Sequence, residues 1–201
     1  MKLYYSPGAC SLSPHIALRE GGFTFDLEKV DLRAKTTASG ADFRAINPKG
    51  SVPAFVTDAG EVLTEGPAIV QYIADQAPGT QLAPHAGTME RYRLIEWLNF
   101  ITTELHKGFS PLFKPTTPDD YKPIAREQIE QRFDWVNGQL AEKQFLMGDH
   151  FTVADGYLFV ILRWAKSMKF DLARWPALNT YFDRVAARPK VVEALEEEAK
   201  G

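Results

Sequence analysis

The pattern of apolar residues changes about 80 residues into the chain, and this change limits the folds open to it. Up to that point short strand-like and helix-like segments alternate, which is typical of helices layered on a sheet. From residue 88 onward, long segments carry helical periodicity and no strand is predicted. The sequence therefore predicts an α/β domain over residues 1–80, a linker over 81–87 and an all-helical domain over 88–201.

Turn residues and the spacing of apolar side chains predict the individual elements. In the first domain these are a strand at 2–5, a helix at 11–20, a strand at 23–30, a loop with a short helix at 31–47, then two strands and a helix that opens near Pro67. In the second domain they are helices at 89–113, 124–140, 152–168 and 178–200. The charged stretch EALEEEAK at 193–200 is interpreted as a solvated helix face.

Composition argues against several classes of function. Cys10 is the only cysteine, so no intramolecular disulfide can form and a reducing, cytoplasmic compartment is expected. The longest apolar run, 157–162, is far shorter than the roughly 20 residues of a membrane span. The net charge of −3, with basic residues scattered among acids, offers no field for nucleic acid. The predicted partners are small molecules or proteins, with no nucleic acid and no membrane.

The single thiol follows a Pro-Gly turn and precedes a predicted helix. Unpaired backbone N–H groups at a helix start favour an anion, so Cys10 is predicted to be reactive as a thiolate. The alternative is that Cys10 is a small buried apolar side chain. No second cysteine follows in a Cys-x-x-Cys pattern, so a reactive thiol here would act on, or beside, a thiol brought by a ligand.

Two further stretches suggest where such a ligand would lie. In SVPAF, Pro53 either forms a cis turn that exposes the preceding backbone to a peptide or simply marks an edge strand. In TEGPAIV, the start of a helix offers N–H groups to a carboxylate, and Glu65 can accept an ammonium group. Together these features fit a small peptide that carries a thiol.

The chain resembles the bacterial beta-class glutathione S-transferases over essentially its whole length. The stretches that carry the resemblance are MKLYYSPGACSLSPHIALRE, NPKGSVPAF, LTEGPAIVQYIAD, WLNFITTELHKGFSPLF and FTVADGYLFV. The resemblance implies an N-terminal thioredoxin-like domain, an all-helical C-terminal domain and a homodimer. It also implies that glutathione, as co-substrate, is conjugated to hydrophobic electrophiles, with no metal required.

The resemblance also implies roles for individual residues. Cys10 would hydrogen-bond the glutathione sulfur or form a mixed disulfide with it, and His106 would be the second catalytic contact. Lys35 would reach the glycine carboxylate, while Asn99 would reach the γ-glutamyl end across the dimer interface. Many relatives have Ser at the position of Gly66, so its contact is expected to be weaker. The full set of implied glutathione-binding residues is Cys10, Lys35, Val52, Pro53, Glu65, Gly66, Asn99, Thr103, Glu104, Leu105 and His106.

The remaining motifs leave alternatives open. TVAD predicts a capping box in which Asp155 serves folding rather than metal binding, and His15, His85 and His150 have no predicted role. The residues expected to line an electrophile pocket, or else to fill the domain interface, are Tyr4 or Tyr5, Ser6, Pro7, 109–115 and Trp164. Cys10 could also support thiol-disulfide exchange or reductive dehalogenation. A non-catalytic ligand carrier or regulatory binding protein is the alternative from another class.

Overall fold

Five strands form one mixed sheet in the structure, a computed structural model that describes residues 1–200. They are β1 (Lys2–Tyr5), β2 (Asp26–Asp31), β3 (Thr36–Thr37), β4 (Ala54–Val56) and β5 (Val62–Thr64). The strand order is β3-β2-β1-β4-β5, with β1 parallel to β2 and antiparallel to β4. The βαβ unit followed by a ββα unit confirms the predicted thioredoxin-like order.

Three helices accompany this sheet: α1 (Leu12–Glu20), α2 (Phe43–Ile46) and α3 (Gly66–Gln76). The strand predicted from residue 23 begins later, at Asp26, because the N–H of Phe23 still bonds to the carbonyl of Leu18 at 3.1 Å and closes the end of α1. Pro67 opens α3 as predicted, since proline fits the first helical turn. The Val52–Pro53 peptide bond is cis, as one of the two alternatives predicted.

After α3, every regular element of the described chain is helical. Its α-helices are α4 (Met89–Phe100), α5 (Lys107–Phe113), α6 (Tyr121–Leu140), α7 (Val153–Ser167), α8 (Pro176–Ala186) and α9 (Pro189–Lys200). A π-helical segment, Ile101–His106, joins α4 to α5, so the predicted helix 89–113 forms without a break. Within residues 1–200, no helix combines the length and apolar character that a membrane crossing demands.

The prediction of one helix over 178–200 is wrong. The chain breaks between α8 and α9 at Ala187 and Arg188, directly before Pro189. Proline has no N–H to donate and disfavours the helical conformation of the residue before it. A new helix therefore starts at Pro189, and the break allows α9 to turn back and pack along α1.

Helix α7 lies at the centre of the helical domain and contacts α1, α4 and α8. The capping box predicted at its start is present, with the Thr152 and Asp155 groups bonded reciprocally. The fully buried Asp155 carboxylate also accepts the N–H of Leu146 at 2.8 Å and the hydroxyl of Tyr181 at 3.0 Å. The predicted folding role of Asp155 is consistent with these bonds, because every one of them stays inside the helical domain.

The charged C-terminal stretch is not simply a solvated face, which corrects the prediction for 193–200. Glu197 forms an ion pair with Arg19, and Glu198 is only 5% exposed. Both acids face α1 because α9 packs against that helix. His15, for which no catalytic contact was predicted, is completely buried and lies between them.

Candidate functional site

Cys10 lies in the loop between β1 and α1, two residues before the helix begins. The loop is closed by a turn in which the N–H of Ala9 donates to the carbonyl of Ser6 at 3.0 Å. The Ser11 hydroxyl accepts the N–H of Ser6 at 3.1 Å and so ties the loop to the start of α1. The Cys10 thiol donates to the carbonyl of Val52 at 3.3 Å. The loop thus places the thiol directly beside the cis Val52–Pro53 peptide.

Two opposing effects set the pKa of the Cys10 thiol. Burial raises its pKa to about 11, although its own N–H and that of Ser11 act in the opposite direction. Burial disfavours the charged form more than the helix start favours it. The two effects named for Cys10 therefore oppose each other, and the thiol donates a hydrogen bond to the Val52 carbonyl.

Two cavities meet at Cys10. The first, of about 220 Å³, lies between the sheet domain and the α4–α5 helix pair, and we call it the Glu65 cavity. Its lining residues are Cys10, Asn47, Lys49, Ser51, Val52, Pro53, Thr64, Glu65, Gly66, Pro67, Thr102, His106, Lys107 and Tyr157. It therefore brings together six of the residues predicted for one site: Cys10, Val52, Pro53, Glu65, Gly66 and His106.

Glu65 lies at the start of α3 with a φ of 69°, in the left-handed region, which turns the chain sharply from β5 into the helix. Its carboxylate is paired with the ammonium group of Lys49, which also donates to the Thr64 hydroxyl at 2.8 Å. Lys49 was missed in the sequence because it lies in a turn, where no periodicity distinguishes a site residue from a solvated one. The Glu65 carboxylate therefore already has a cationic partner within the chain, Lys49.

His106 closes the opposite wall of the Glu65 cavity. Its Nδ1 lies 2.6 Å from the hydroxyl of Tyr157, and its ring packs edge-on against Trp164 at 4.8 Å between centroids. Burial, aided by the charge of Lys107, lowers the pKa of His106 to about 4, and burial raises the pKa of Tyr157. At neutral pH both side chains are uncharged. Tyr157 was missed because it begins an apolar run, in which no pattern distinguishes a site residue from a core residue.

Four predicted site residues on the α4–α5 pair lie away from the lining. Asn99 donates to the carbonyl of Ile95 at 3.0 Å, and the Thr103 hydroxyl donates to the carbonyl of Asn99 at 3.0 Å. Glu104 pairs with Arg132 at 2.9 Å. Leu105 is fully buried in the core, so its side chain does not line the cavity. From this stretch, the cavity is lined instead by Thr102, His106 and Lys107.

The second cavity, of about 440 Å³, lies on the other side of Cys10, and we call it the Trp164 cavity. Its lining residues are Ser6, Pro7, Gly8, Ala9, Cys10, Leu32, Lys35, Gly50, Ser51, Val52, Phe113 and Trp164. Lys35 lies in this wall, with its ammonium group donating to the carbonyl of Gly50 at 2.7 Å. It is therefore close to the loop of Cys10 but not in the Glu65 cavity.

Some of the residues predicted to line an electrophile pocket lie in a cavity wall, and others lie in the core. The rings of Phe113 and Trp164 pack edge-on with 5.2 Å between their centroids, and both side chains line the Trp164 cavity. Phe109, in contrast, is fully buried and belongs to the core. Tyr5 is also a buried side chain, and Ser6 and Pro7 line the cavity. In the described residues, no group of three or more His, Cys, Asp or Glu side chains is arranged to hold a metal ion.

Comparisons with known proteins agree over both domains. Family models described as the N-terminal and C-terminal domains of glutathione S-transferase match residues 1–75 and 100–189. Glutathione S-transferase GstA of Escherichia coli O157:H7 is 50% identical over 98% of both chains.

Two solved structures are similar to this chain over nearly their whole length. A sphingomonad glutathione S-transferase complexed with glutathione is 48% identical, with a TM-score of 0.97 over 100% of both chains. A beta-class enzyme of Sphingomonas chungbukensis is 49% identical, with a TM-score of 0.96 over 98% of both chains.

Proposed function

Because this chain belongs to the glutathione S-transferase family and is close to its bacterial beta class, we propose that the Glu65 cavity binds glutathione. The observation that carries the proposal is that Cys10, Val52, Glu65 and His106 line one cavity. In this placement Glu65 and Gly66 hold the γ-glutamyl end, and Val52 pairs its backbone with the cysteinyl part. The glycine carboxylate extends toward Lys35.

The glutathione sulfur then lies beside Cys10 and His106. In the free protein the Cys10 thiol donates to the carbonyl of Val52. When the cysteinyl N–H of glutathione takes that carbonyl, the Cys10 thiol becomes free to donate to the glutathione thiolate instead. Hydrogen bonding to the charged form favours it, so Cys10 lowers the pKa of the bound thiol without being the attacking atom.

His106 completes this environment. It is neutral at physiological pH, because its pKa is lowered to about 4, and its contact with Tyr157 fixes the orientation of the ring. An uncharged imidazole, oriented by Tyr157, can donate a hydrogen bond to the glutathione thiolate without adding a second buried charge. Tyr157 thereby acts through His106 as a positioning residue.

We propose that the electrophile binds in the Trp164 cavity, next to the same sulfur. Phe113 and Trp164 give this cavity a flat apolar wall, which suits an aromatic or similarly flat molecule. The glutathione sulfur forms a bond to the electrophilic carbon, the leaving group departs with its electron pair, and the thiol proton passes to solvent. Holding both reactants at one junction removes much of the entropic barrier.

The working form is proposed to be a homodimer in the cytoplasm. Tyr92, Ile95 and Asn99 are three to seven residues apart and share one face of α4, and Tyr92 is largely exposed. A partner chain on this face would bring Asn99 and Thr103 toward the partner's γ-glutamyl site. Sedimentation equilibrium at micromolar concentration tests this, and a monomer that remains fully active would contradict it.

We propose conjugation, rather than thiol-disulfide exchange or dehalogenation through Cys10, as the main activity. In exchange, the Cys10 thiolate would attack one sulfur of glutathione disulfide, forming a mixed disulfide and releasing one glutathione thiolate. The neutral state of Cys10 disfavours that attack. The close relatives named as glutathione S-transferases support the enzyme rather than a non-catalytic carrier.

Intact mass spectrometry and a conjugation assay test the proposal together. The protein and its Cys10→Ser variant are incubated with glutathione disulfide, and conjugation of 1-chloro-2,4-dinitrobenzene is measured on both. We expect conjugation by the wild type and no stable adduct. A glutathione adduct on the wild type alone would favour the redox activity, and absence of both conjugation and glutathione binding would contradict the proposal.

A further inference from the structure

Both backbone polar groups of Gly8 are bonded to side chains of the helical domain. The N–H of Gly8 donates to Glu198 Oε2 at 2.8 Å, and its carbonyl accepts the indole N–H of Trp164 at 2.8 Å. Gly8 has a φ of 72°, in the left-handed region that glycine adopts without strain. The turn that leads to Cys10 is therefore held in place from outside its own domain.

The orientation of Glu198 toward this turn is fixed. Its side chain is only 5% exposed, and its second carboxylate oxygen lies 3.4 Å from Nδ1 of His15, which is completely buried. Burial of a carboxylate without partners is costly, so both oxygens must keep their contacts. One oxygen thus faces α1, and the other accepts the N–H of Gly8.

The adjacent acid has a different task. Glu197 pairs with the guanidinium of Arg19 at 2.6 and 2.9 Å and with Nε2 of His15 at 2.8 Å, and both partners belong to α1. Glu197 makes no contact with the loop among these bonds. The two neighbouring glutamates therefore make different contacts. Glu197 anchors α9 on α1, and Glu198 reaches the loop of Cys10.

We propose that Glu198 is a positioning residue, which acts through Gly8 to hold the Ser6–Cys10 loop in its reactive geometry. The inference rests on the proposed assignment of the two cavities. Glu198 lines neither of them, whereas residues 6–10 form one wall of the Trp164 cavity. Loss of the Glu198 side chain would thus disturb the Trp164 cavity and the Cys10 thiol more than the binding of the γ-glutamyl end of glutathione at Glu65.

Steady-state kinetics with 1-chloro-2,4-dinitrobenzene and glutathione give the first test. In Glu198→Ala, the Gly8 N–H loses its acceptor, and we expect kcat/KM for the electrophile to fall about tenfold while KM for glutathione stays within about twofold. Glu198→Gln keeps an oxygen for Gly8 and should restore kcat/KM to within about threefold of wild type. Should Glu198→Ala fail to fold, Glu198→Asp, too short to reach Gly8, should show the same loss.

Glu197→Ala is the matched control, since it removes a neighbouring acid that does not touch the loop. It should lower Tm by loosening α9, while the kinetic constants stay within about twofold of wild type. Equal kinetic losses in Glu197→Ala and Glu198→Ala would overturn the inference, because the effect would then come from the docking of α9. A Glu198→Gln variant as impaired as Glu198→Ala would overturn it as well.

The second test needs no glutathione. Because Cys10 is the only cysteine, its alkylation by iodoacetamide can be followed by intact mass. A loosened loop exposes the thiol more often, so alkylation should be at least about threefold faster in Glu198→Ala than in wild type or Glu197→Ala. Equal rates in all three would overturn the inference. A wild type that does not bind glutathione would contradict the proposed function alone, because these rates do not depend on that ligand.

Discussion

Replacement of Tyr157 by Phe isolates the contribution of one hydroxyl group to the proposed active site. The hydroxyl lies 2.6 Å from Nδ1 of His106, and the tyrosine is almost completely buried. The phenyl ring of the variant keeps the edge-on packing against the imidazole, so the change removes a hydrogen bond with little loss of volume. The structure therefore predicts a specific effect on His106 rather than a general loss of packing.

The size of the effect follows from the energy of one buried hydrogen bond. A net loss of about 1–1.5 kcal/mol corresponds to roughly a five- to tenfold change in an equilibrium or rate constant. If His106 must be oriented at the glutathione sulfur, this loss appears in kcat/KM for conjugation. We expect Tyr157→Phe to reduce kcat/KM for 1-chloro-2,4-dinitrobenzene by about five- to tenfold, with KM for glutathione within about twofold.

Tyr181→Phe provides the matched control for this prediction. Tyr181 is also buried, and its hydroxyl donates to Asp155 at 3.0 Å. Neither Tyr181 nor Asp155 lines either of the two cavities. The control should lower Tm with kinetic constants close to those of wild type. If Tyr157→Phe kept kcat/KM within twofold of wild type, or if Tyr181→Phe lost as much, the reasoning that His106 is positioned by Tyr157 would be refuted.

Three further predictions concern ionisation and stability. Because burial raises the pKa of Cys10 to about 11, alkylation of the free protein should accelerate about tenfold per pH unit from pH 7 to 9.5, and a plateau below pH 9 would contradict this assignment. Because the pKa of His106 is lowered to about 4, the pH profile of kcat/KM should show no titration of this residue between pH 6 and 8. An inflection in that range that disappears in His106→Asn would refute the lowered pKa. Asp155→Ala removes the acceptor of the Leu146 N–H and the Tyr181 hydroxyl. The free energy of unfolding should therefore fall by about 3–5 kcal/mol, and Tm in a thermal melt should fall by about 10 °C. A decrease in Tm of less than about 3 °C would exclude the proposed folding role.

Local signals in the sequence were sufficient for much of the fold. The strand β1, the helix start after Cys10, the proline at the opening of α3 and the capping box at Asp155 were all predicted, because each depends on residues within one or two turns of the chain. The missed break before Pro189 is also a local feature, since proline alone signals it. This error came from giving periodicity more weight than proline.

The sequence by itself determined which residue types are proposed to carry the chemistry: a single thiol at a helix start, an acid at the start of α3 and a histidine on the long helix. Only the tertiary structure decided their states. Burial between two domains keeps Cys10 protonated and His106 neutral, because desolvation depends on every atom packed around a group. Likewise, Lys49 meets Glu65, Tyr157 meets His106, and Glu198 reaches Gly8 across 190 residues of chain. No local pattern encodes such pairs, since they arise when segments far apart in the sequence pack together.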